Sequence, residues 1–214
     1  YGLMSVLMLQ NHIPKIITNQ KNKEFVSLFS NPIAGKTVVA VGTGSLGSAM
    51  TKLLEPLGAN IIGVNKKGGM VKGCSKVVTT DKINTVLPEA DILYLALPET
   101  SETKNLINRK RLDLLKPSCG IVNIGRQSAM DYEVLCEKLD KGELAGAILD
   151  VFTHEPIESN SKLWNTSNLL ITPHVSSDDH GSYVKMTLDL FVNNLKLFIS
   201  NKELVNQIDK DLGY

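Results

Sequence analysis

Arg126, Glu155 and His174 are the residues of this sequence whose combined side chains can do chemistry. An imidazole, with an ordinary pKa of about 6.5, can give or take a proton near neutral pH. A carboxylate beside it favours the charged form, and a guanidinium offers a planar fork to an anion or a carbonyl oxygen without losing its own proton. The three are far apart in sequence, yet each follows a short apolar run that reads as a buried strand: Cys119-Gly-Ile-Val-Asn-Ile124, Leu144-Ala-Gly-Ala-Ile-Leu-Asp150 and Asn168-Leu-Leu-Ile-Thr172. In open α/β sheets the ligand crevice lies outside the carboxyl ends of the strands, so an acid–base pair and an anion clamp are expected on one edge. Taken singly, each has an ordinary alternative: a surface cation, a loop carboxylate before Pro156, a satisfied histidine after Pro173. Their shared placement at three strand ends favours a site.

The elements that must position them alternate. From Lys36 onward the pattern predicts strand 37–41, helix 45–57, strand 60–64, a short strand near Val77, a helix near 84–89 and strand 92–97. It continues with helix 108–115, strand 120–124, helix 132–141 capped by Asp131, and strands 145–149 and 169–171. Repeated β-α-β order predicts an α/β fold with a doubly wound, parallel Rossmann-type sheet and flanking helices. Residues 2–12 read as an apolar helix ending near Pro14, followed by a polar connector to about residue 31. A long amphipathic helix is expected over 183–200, with a polar tail behind it. The division is therefore 1–31 as connecting helix and linker, 32–178 as the dinucleotide-binding and catalytic domain, and 179–214 as a C-terminal helix and tail.

The first strand-to-helix turn carries Gly42-Thr-Gly44-Ser-Leu-Gly47. Gly42 permits the tight turn, Gly44 lets a pyrophosphate approach the backbone, and Gly47 lets the helix pack closely on the strand. The helix N-terminus adds unpaired N–H donors and a positive dipole end. The motif follows a strand and opens a helix, as its mechanism requires, so dinucleotide binding is expected. The next strand ends in Asn65-Lys66-Lys67 where an NAD enzyme would carry an acidic residue for the ribose hydroxyls. Asparagine removes the charge that would repel a 2′-phosphate and two lysines can neutralise one, so NADP is favoured over NAD.

Composition is that of an ordinary globular chain: 214 residues, 43% hydrophobic and 21% charged. A formal net charge of +1 argues against bulk attraction to nucleic acid or a membrane surface. Cys74, Cys119 and Cys136 are odd in number and lack metal-ligand spacing, so reduced thiols, a cytoplasmic location and no metal site are expected. No apolar run approaches the length of a membrane span, and residues 1–10 lack the basic region and cleavage site of a signal peptide. His12, His154 and His180 lack strand-end placement and read as solvated side chains. There is no Tyr-x-x-x-Lys pair, no Cys/His zinc set, and no Lys-Ser or Lys-Thr after the glycines.

Together Asn123-Ile-Gly-Arg126, Gly146-Ala-Ile-Leu-Asp150-Val-Phe-Thr-His-Glu155-Pro156 and Thr172-Pro-His174 resemble the D-isomer-specific 2-hydroxyacid dehydrogenases. Leu97-Pro98-Glu-Thr100-Ser-Glu-Thr103 and Leu163-Trp164 resemble further segments of that family, over about Lys36 to Ser176. The resemblance implies an NAD(P)-dependent oxidoreductase, like a glyoxylate or hydroxypyruvate reductase, that reduces a small 2-oxo acid. In it Arg126 binds the substrate's carboxylate and carbonyl oxygen, His174 exchanges the proton, and Glu155 pairs with His174. It implies cofactor contacts from Gly42, Gly44, Ser45, Leu46, Gly47, Asn65, Lys66, Lys67, Leu97, Pro98, Thr103, Ile124, Gly125, Asp150 and His174, with Asp150 holding the nicotinamide carboxamide. A homodimer is implied as well. The related formate dehydrogenases carry glutamine at the position of Glu155, so glutamate points to hydroxy acids.

Two departures stand out. Gln127 replaces the glycine that usually follows the arginine, which could alter the turn presenting Arg126 or crowd the substrate. The family also places roughly a hundred residues of substrate domain before the connecting helix, whereas this sequence starts at Tyr1 within what resembles that helix, so it is expected to be part of a longer chain. Two other readings stay open: a dinucleotide-sensing binding protein similar to the transcriptional corepressors that share this fold and trio, and a truncated dinucleotide binder without turnover.

Overall fold

The computed structural model describes residues 1–177, 179 and 181–210. Seven strands form one parallel sheet: β1 (Thr37–Val41), β2 (Asn60–Asn65), β3 (Lys76–Thr79), β4 (Ile92–Leu95), β5 (Gly120–Asn123), β6 (Gly146–Leu149) and β7 (Leu169–Ile171). Their order is β3-β2-β1-β4-β5-β6-β7, so the winding reverses between β1 and β4. A crevice opens at such a switch point beyond the carboxyl ends of the two strands.

The central strands β1, β4, β5 and β6 are buried and almost wholly apolar because both of their faces are covered. Val39 and Val41 of β1 point into a core with Leu93, Leu95, Ile121 and Leu149, covered by helix α5 (Tyr132–Asp140) through Leu135 and Leu139. Val38 and Ala40 point the other way, into a core with Ile61, Tyr94, Val122 and Ile148. That face is covered by helix α1 (Gly2–Gln10), through Val6 and Leu9, and by helix α3 (Ser45–Leu54), through Met50 and Leu54. The period-2 alternation is what a sheet buried between two helical layers requires.

The structure differs from the sequence reading in five places, each with a local cause. The helix expected over 45–57 ends as α3 at Leu54 and gives way to a 3-10 turn, Glu55–Leu57, with Pro56 in its first turn. Pro14 begins a second helix, α2 (Ile13–Lys21), after His12 adopts a left-handed conformation at φ 57°. Proline suits the first turn because its missing N–H would be unpaired there anyway. The helix expected over 84–89 is instead two 3-10 turns, Thr80–Thr85 and Leu87–Glu89, with Pro88 in the first turn of the second. The helix expected over 108–115 shrinks to α4 (Arg109–Leu112), capped by the Asn108 side chain and followed by Pro117, which disfavours helical geometry before it. The fourth main strand leaves the sheet after Leu95 rather than reaching Leu97, just before Pro98, which lacks a ladder donor.

Contacts divide the chain into Tyr1–His174 and a second unit from Val175 onward. The second unit contains α6 (Tyr183–Ile199), along which Val184, Leu188, Phe191, Leu195 and Phe198 recur at helical spacing. The Asn194 side chain bonds both the N–H and the carbonyl of Val205, tying the following segment back to α6. Among the described residues no helix is long and apolar enough to cross a membrane. His180 and the last four residues of the expected tail lie outside the described residues.

Candidate functional site

The glycine turn after β1 has the shape its motif implies. Gly42 sits at φ 90°, and a Cβ there would come within 2.5 Å of the Ala96 carbonyl oxygen. A Cβ on Gly47 would stand 1.9 Å from the Gly42 carbonyl oxygen, so α3 can meet the strand end only through a glycine. At Gly44 a Cβ would meet nothing within 4 Å. Gly44, Ser45 and Leu46 are exposed, and no side chain caps the first turn of α3. The result is an open cradle at a helix N-terminus with its donors available, which fits a pyrophosphate.

Asn65 ends β2 and braces the adjoining turns. Its Nδ2 donates to Thr43 Oγ1 (2.9 Å), and its Oδ1 accepts from the backbone N–H groups of Lys67 (3.1 Å) and Gly68 (2.6 Å). The Lys66 ammonium pairs with Glu102 at 2.8 Å, both side chains largely exposed. Beyond β4, the Thr103 hydroxyl closes its own loop, donating to the Pro98 carbonyl (2.7 Å) while accepting from the Thr100 N–H (2.9 Å). Lys66 and Thr103 therefore already have partners within the protein.

The strand ends beyond the switch point build the rest. Asn123, fully buried at the end of β5, accepts from Gly125 N (3.0 Å) and donates to the Arg126 carbonyl (3.1 Å) and the Tyr132 hydroxyl (2.9 Å). Gly125 is pressed so closely on the next loop that a Cβ would lie 2.5 Å from Leu97 N. Arg126 emerges exposed from this clamp, its Nη1 donating to the Gly125 carbonyl (2.8 Å). Gln127 keeps an ordinary backbone and starts a 3-10 turn, Gln127–Ala129, while its amide oxygen accepts from the Thr153 hydroxyl (2.7 Å). The glycine expected after the arginine is thus replaced by a link to the loop following β6.

That loop carries Glu155. The Tyr132 hydroxyl donates to the Val151 carbonyl (3.0 Å), and the Tyr132 and Phe152 rings meet edge to face at 6.2 Å. Phe152 N donates to Glu155 Oε1 (2.8 Å), leaving Oε2 at 2.7 Å from His174 Nδ1. Burial pushes the Glu155 carboxyl up, but the bonds from His174 and Phe152 outweigh it and hold the pKa below the ordinary value. An ionised carboxylate can only accept, so Nδ1 carries the proton and Nε2 is the nitrogen left to exchange one.

His174 follows β7 through Pro173, in a left-handed conformation at φ 56° with its N–H bonded to the Thr172 carbonyl (3.0 Å). Such backbone is uncommon outside glycine and is found at functional sites. Side-chain exposure is 46% for His174 and 35% for Glu155, so the pair stands open to solvent. β5, β6 and β7 are parallel neighbours, and their carboxyl ends therefore deliver Arg126, Glu155 and His174 to one edge, with buried Asp150 behind them.

Asn123 and Tyr132 form the scaffold of this edge, a role the sequence reading did not assign although Asn123 opens the motif Asn123-Ile-Gly-Arg126; the signal was a polar residue interrupting the apolar run Gly120-Ile-Val-Asn-Ile124. His12 lies between α1 and α2, and His154 is an exposed loop side chain. His154 also lines a cavity of about 770 Å³ beside α5, together with Gln127, Cys136 and Leu163, but none of the three edge residues does.

A family model described as D-isomer specific 2-hydroxyacid dehydrogenase, NAD binding domain, matches residues 3–176. A protein named glyoxylate reductase from Thermococcus litoralis is 31% identical over 182 residues, covering 84% of this chain and 54% of that protein. A D-isomer specific 2-hydroxyacid dehydrogenase from Xanthobacter autotrophicus, solved with NADPH and MES, is 28% identical with a TM-score of 0.90, covering 99% of this chain and 86% of that one. An NADPH-dependent glyoxylate/hydroxypyruvate reductase from Sinorhizobium meliloti, solved with NADP and sulfate, is 27% identical with a TM-score of 0.87, covering 98% and 66%. The chain spans between a third and three fifths of the length of the curated relatives it matches.

Proposed function

The chain belongs to the D-isomer specific 2-hydroxyacid dehydrogenase family through its NAD binding domain, and from that premise we propose that it is the cofactor-binding and catalytic portion of a reductase acting on a small 2-oxo acid such as glyoxylate or hydroxypyruvate. The observation that carries this reading is the 2.7 Å pair of Glu155 and His174 on the same sheet edge as Arg126 and the glycine cradle.

Gly42, Gly44, Ser45, Leu46 and Gly47 hold the pyrophosphate, and Asp150 takes the carboxamide of a nicotinamide cofactor. When bound, that cofactor supplies or accepts a hydride at the substrate carbon. Arg126 binds the acid's carboxylate with one part of its fork and polarises the carbonyl with another. His174 Nε2 delivers a proton to the carbonyl oxygen on reduction and removes it on oxidation, while Glu155 fixes the ring and stabilises its charged form.

The cofactor is NADP rather than NAD: Asn65 brings no charge against a 2′-phosphate, and Lys66 and Lys67 flank it. The Glu102 ion pair moderates this preference, since Lys66 must leave a carboxylate to meet a phosphate. We also propose a homodimer, on family resemblance, and a cytoplasmic location, supported by three free cysteines.

The test is a screen of NADPH and NADH oxidation against a panel of 2-oxo acids, run on the protein carrying this chain. Turnover of a small 2-oxo acid with a lower KM for NADPH is expected. Tight dinucleotide binding with no oxidation by any acid refutes the reductase, and a clear preference for NADH refutes the cofactor assignment alone.

A further inference from the structure

Behind the site lies a chain of hydroxyls. Asp150 is fully buried, and its Oδ1 accepts from the Thr172 hydroxyl at 2.5 Å. Thr172 Oγ1 in turn lies 2.5 Å from the Tyr1 hydroxyl. A threonine hydroxyl has a single proton, and here that proton points to the carboxylate. Tyr1 must therefore be the donor to Thr172, which gives the chain one direction: Tyr1 to Thr172 to Asp150.

We infer that Thr172 and Tyr1 form a relay that positions the Asp150 carboxylate to accept from a nicotinamide carboxamide. This rests on the reading of Asp150 given above. A buried carboxylate is tolerated only with donors around it, and one that must recognise an amide N–H has to present its lone pairs in a defined plane. Fixing Oδ1 sets that plane. Accepting from Tyr1 polarises the Thr172 hydroxyl and strengthens its bond to Asp150, since hydrogen bonds in a chain reinforce one another.

Each member is held by a different part of the fold. Thr172 N donates to the Leu149 carbonyl and Asp150 N to the Asn123 carbonyl, at 3.0 and 3.1 Å, so both sit locked at strand ends. Tyr1 stands at the head of α1, its carbonyl accepting from Ser5 N (2.9 Å) and Ser5 Oγ (3.2 Å). That helix approaches β4 through Gly2, where a Cβ would fall 2.6 Å from the Tyr94 hydroxyl. Burial raises the Tyr1 pKa, so the phenol stays protonated and remains a donor at physiological pH. The relay thus joins α1, β6 and β7 at the carboxamide side of the site. Tyr1 and Thr172 act through Asp150 and are positioning residues.

The experiment compares binding of a whole dinucleotide with binding of its nicotinamide-free part. Whichever of NADPH and NADH binds this chain more tightly is titrated beside 2′-phospho-ADP-ribose or ADP-ribose respectively, for the parent, T172V, T172S, Y1F and D150N. The expected result is about a tenfold loss of dinucleotide affinity in T172V, about threefold in Y1F and near-parental affinity in T172S. Affinity for the nicotinamide-free ligand should stay within about twofold throughout, because those variants leave the glycine cradle untouched. Equal weakening of both ligands means a structural role and overturns the relay. D150N losing dinucleotide affinity while T172V does not overturns the relay and leaves Asp150 as the carboxamide ligand. D150N binding like the parent, or a parent that binds neither dinucleotide, overturns the Asp150 reading and the relay with it.

Discussion

Two glycines of one motif, three residues apart, should fail in opposite ways. In G47A the new Cβ would stand 1.9 Å from the Gly42 carbonyl oxygen, where ordinary contact begins at 3.4 Å. The strand end cannot yield the missing distance of about 1.5 Å, because Gly42 is itself wedged against the Ala96 carbonyl and bonded to Val64. Helix α3 must move instead, loosening Met50 and Leu54 in the core. Overpacking against a rigid neighbour costs about 3 kcal/mol, which for a chain of this size lowers Tm by about 6–12 °C. In G44A the backbone at φ −68° and ψ −158° accepts any residue, and the Cβ meets nothing within 4 Å. Alanine is a poorer N-cap by up to ~1 kcal/mol, but it restrains the unfolded chain by about 0.4–1 kcal/mol, so the two nearly cancel. Tm should stay within about 4 °C of the parent. The Cβ nevertheless stands where the phosphates must approach, and dinucleotide affinity should fall at least about tenfold, or ~1.4 kcal/mol. Thermal melting and fluorescence titration with NADPH, run on the same samples, separate the two. G44A binding as tightly as the parent, or melting as early as G47A, would refute the reasoning.

Y132F removes the hydroxyl that joins Asn123 to the Val151 carbonyl in a buried position, so it should cost about 2 kcal/mol and about 4–8 °C in Tm by calorimetry. The Cys119 thiol, fully buried, is pushed up to about 12 by loss of solvation, so a disulfide reagent should modify half-buried Cys74 in the native chain and reach Cys119 only on unfolding. Because the folded chain holds Glu155 below its ordinary pKa of 4.5, the stability it contributes is complete above that value and is lost as pH falls through the lower folded one. E155Q should therefore melt with a shallower dependence on pH on the acid side, measured against the parent, and an identical pH profile would reject the pairing with His174.

The architecture was legible because its signals are local and repeated. Apolar runs at β1, β4, β5 and β6 separated by helical stretches leave few topologies other than a doubly wound sheet, and Asp131 announced the start of α5 that it caps through Val134 N. The trio was legible because a charged or titratable residue directly after a buried strand is unusual. What stayed hidden depends on partners distant in sequence. Nothing in Tyr1 points to Thr172, 171 positions away, and nothing in Gln127 points to Thr153. Lys66 read as a free cation for a phosphate because its partner Glu102 arrives from another loop. Pro14 read as a helix end because proline both stops one helix and starts the next, and only the left-handed turn at His12 decides between them.

We propose that His174 exchanges the substrate proton. Single-turnover oxidation of bound NADPH by glyoxylate, followed in the protein carrying this chain and in its H174Q variant, tests it. The prediction, read at saturating NADPH, is a turnover rate lower by about 10²–10⁴-fold in the variant. A variant that turns over at the parent's rate would contradict the account.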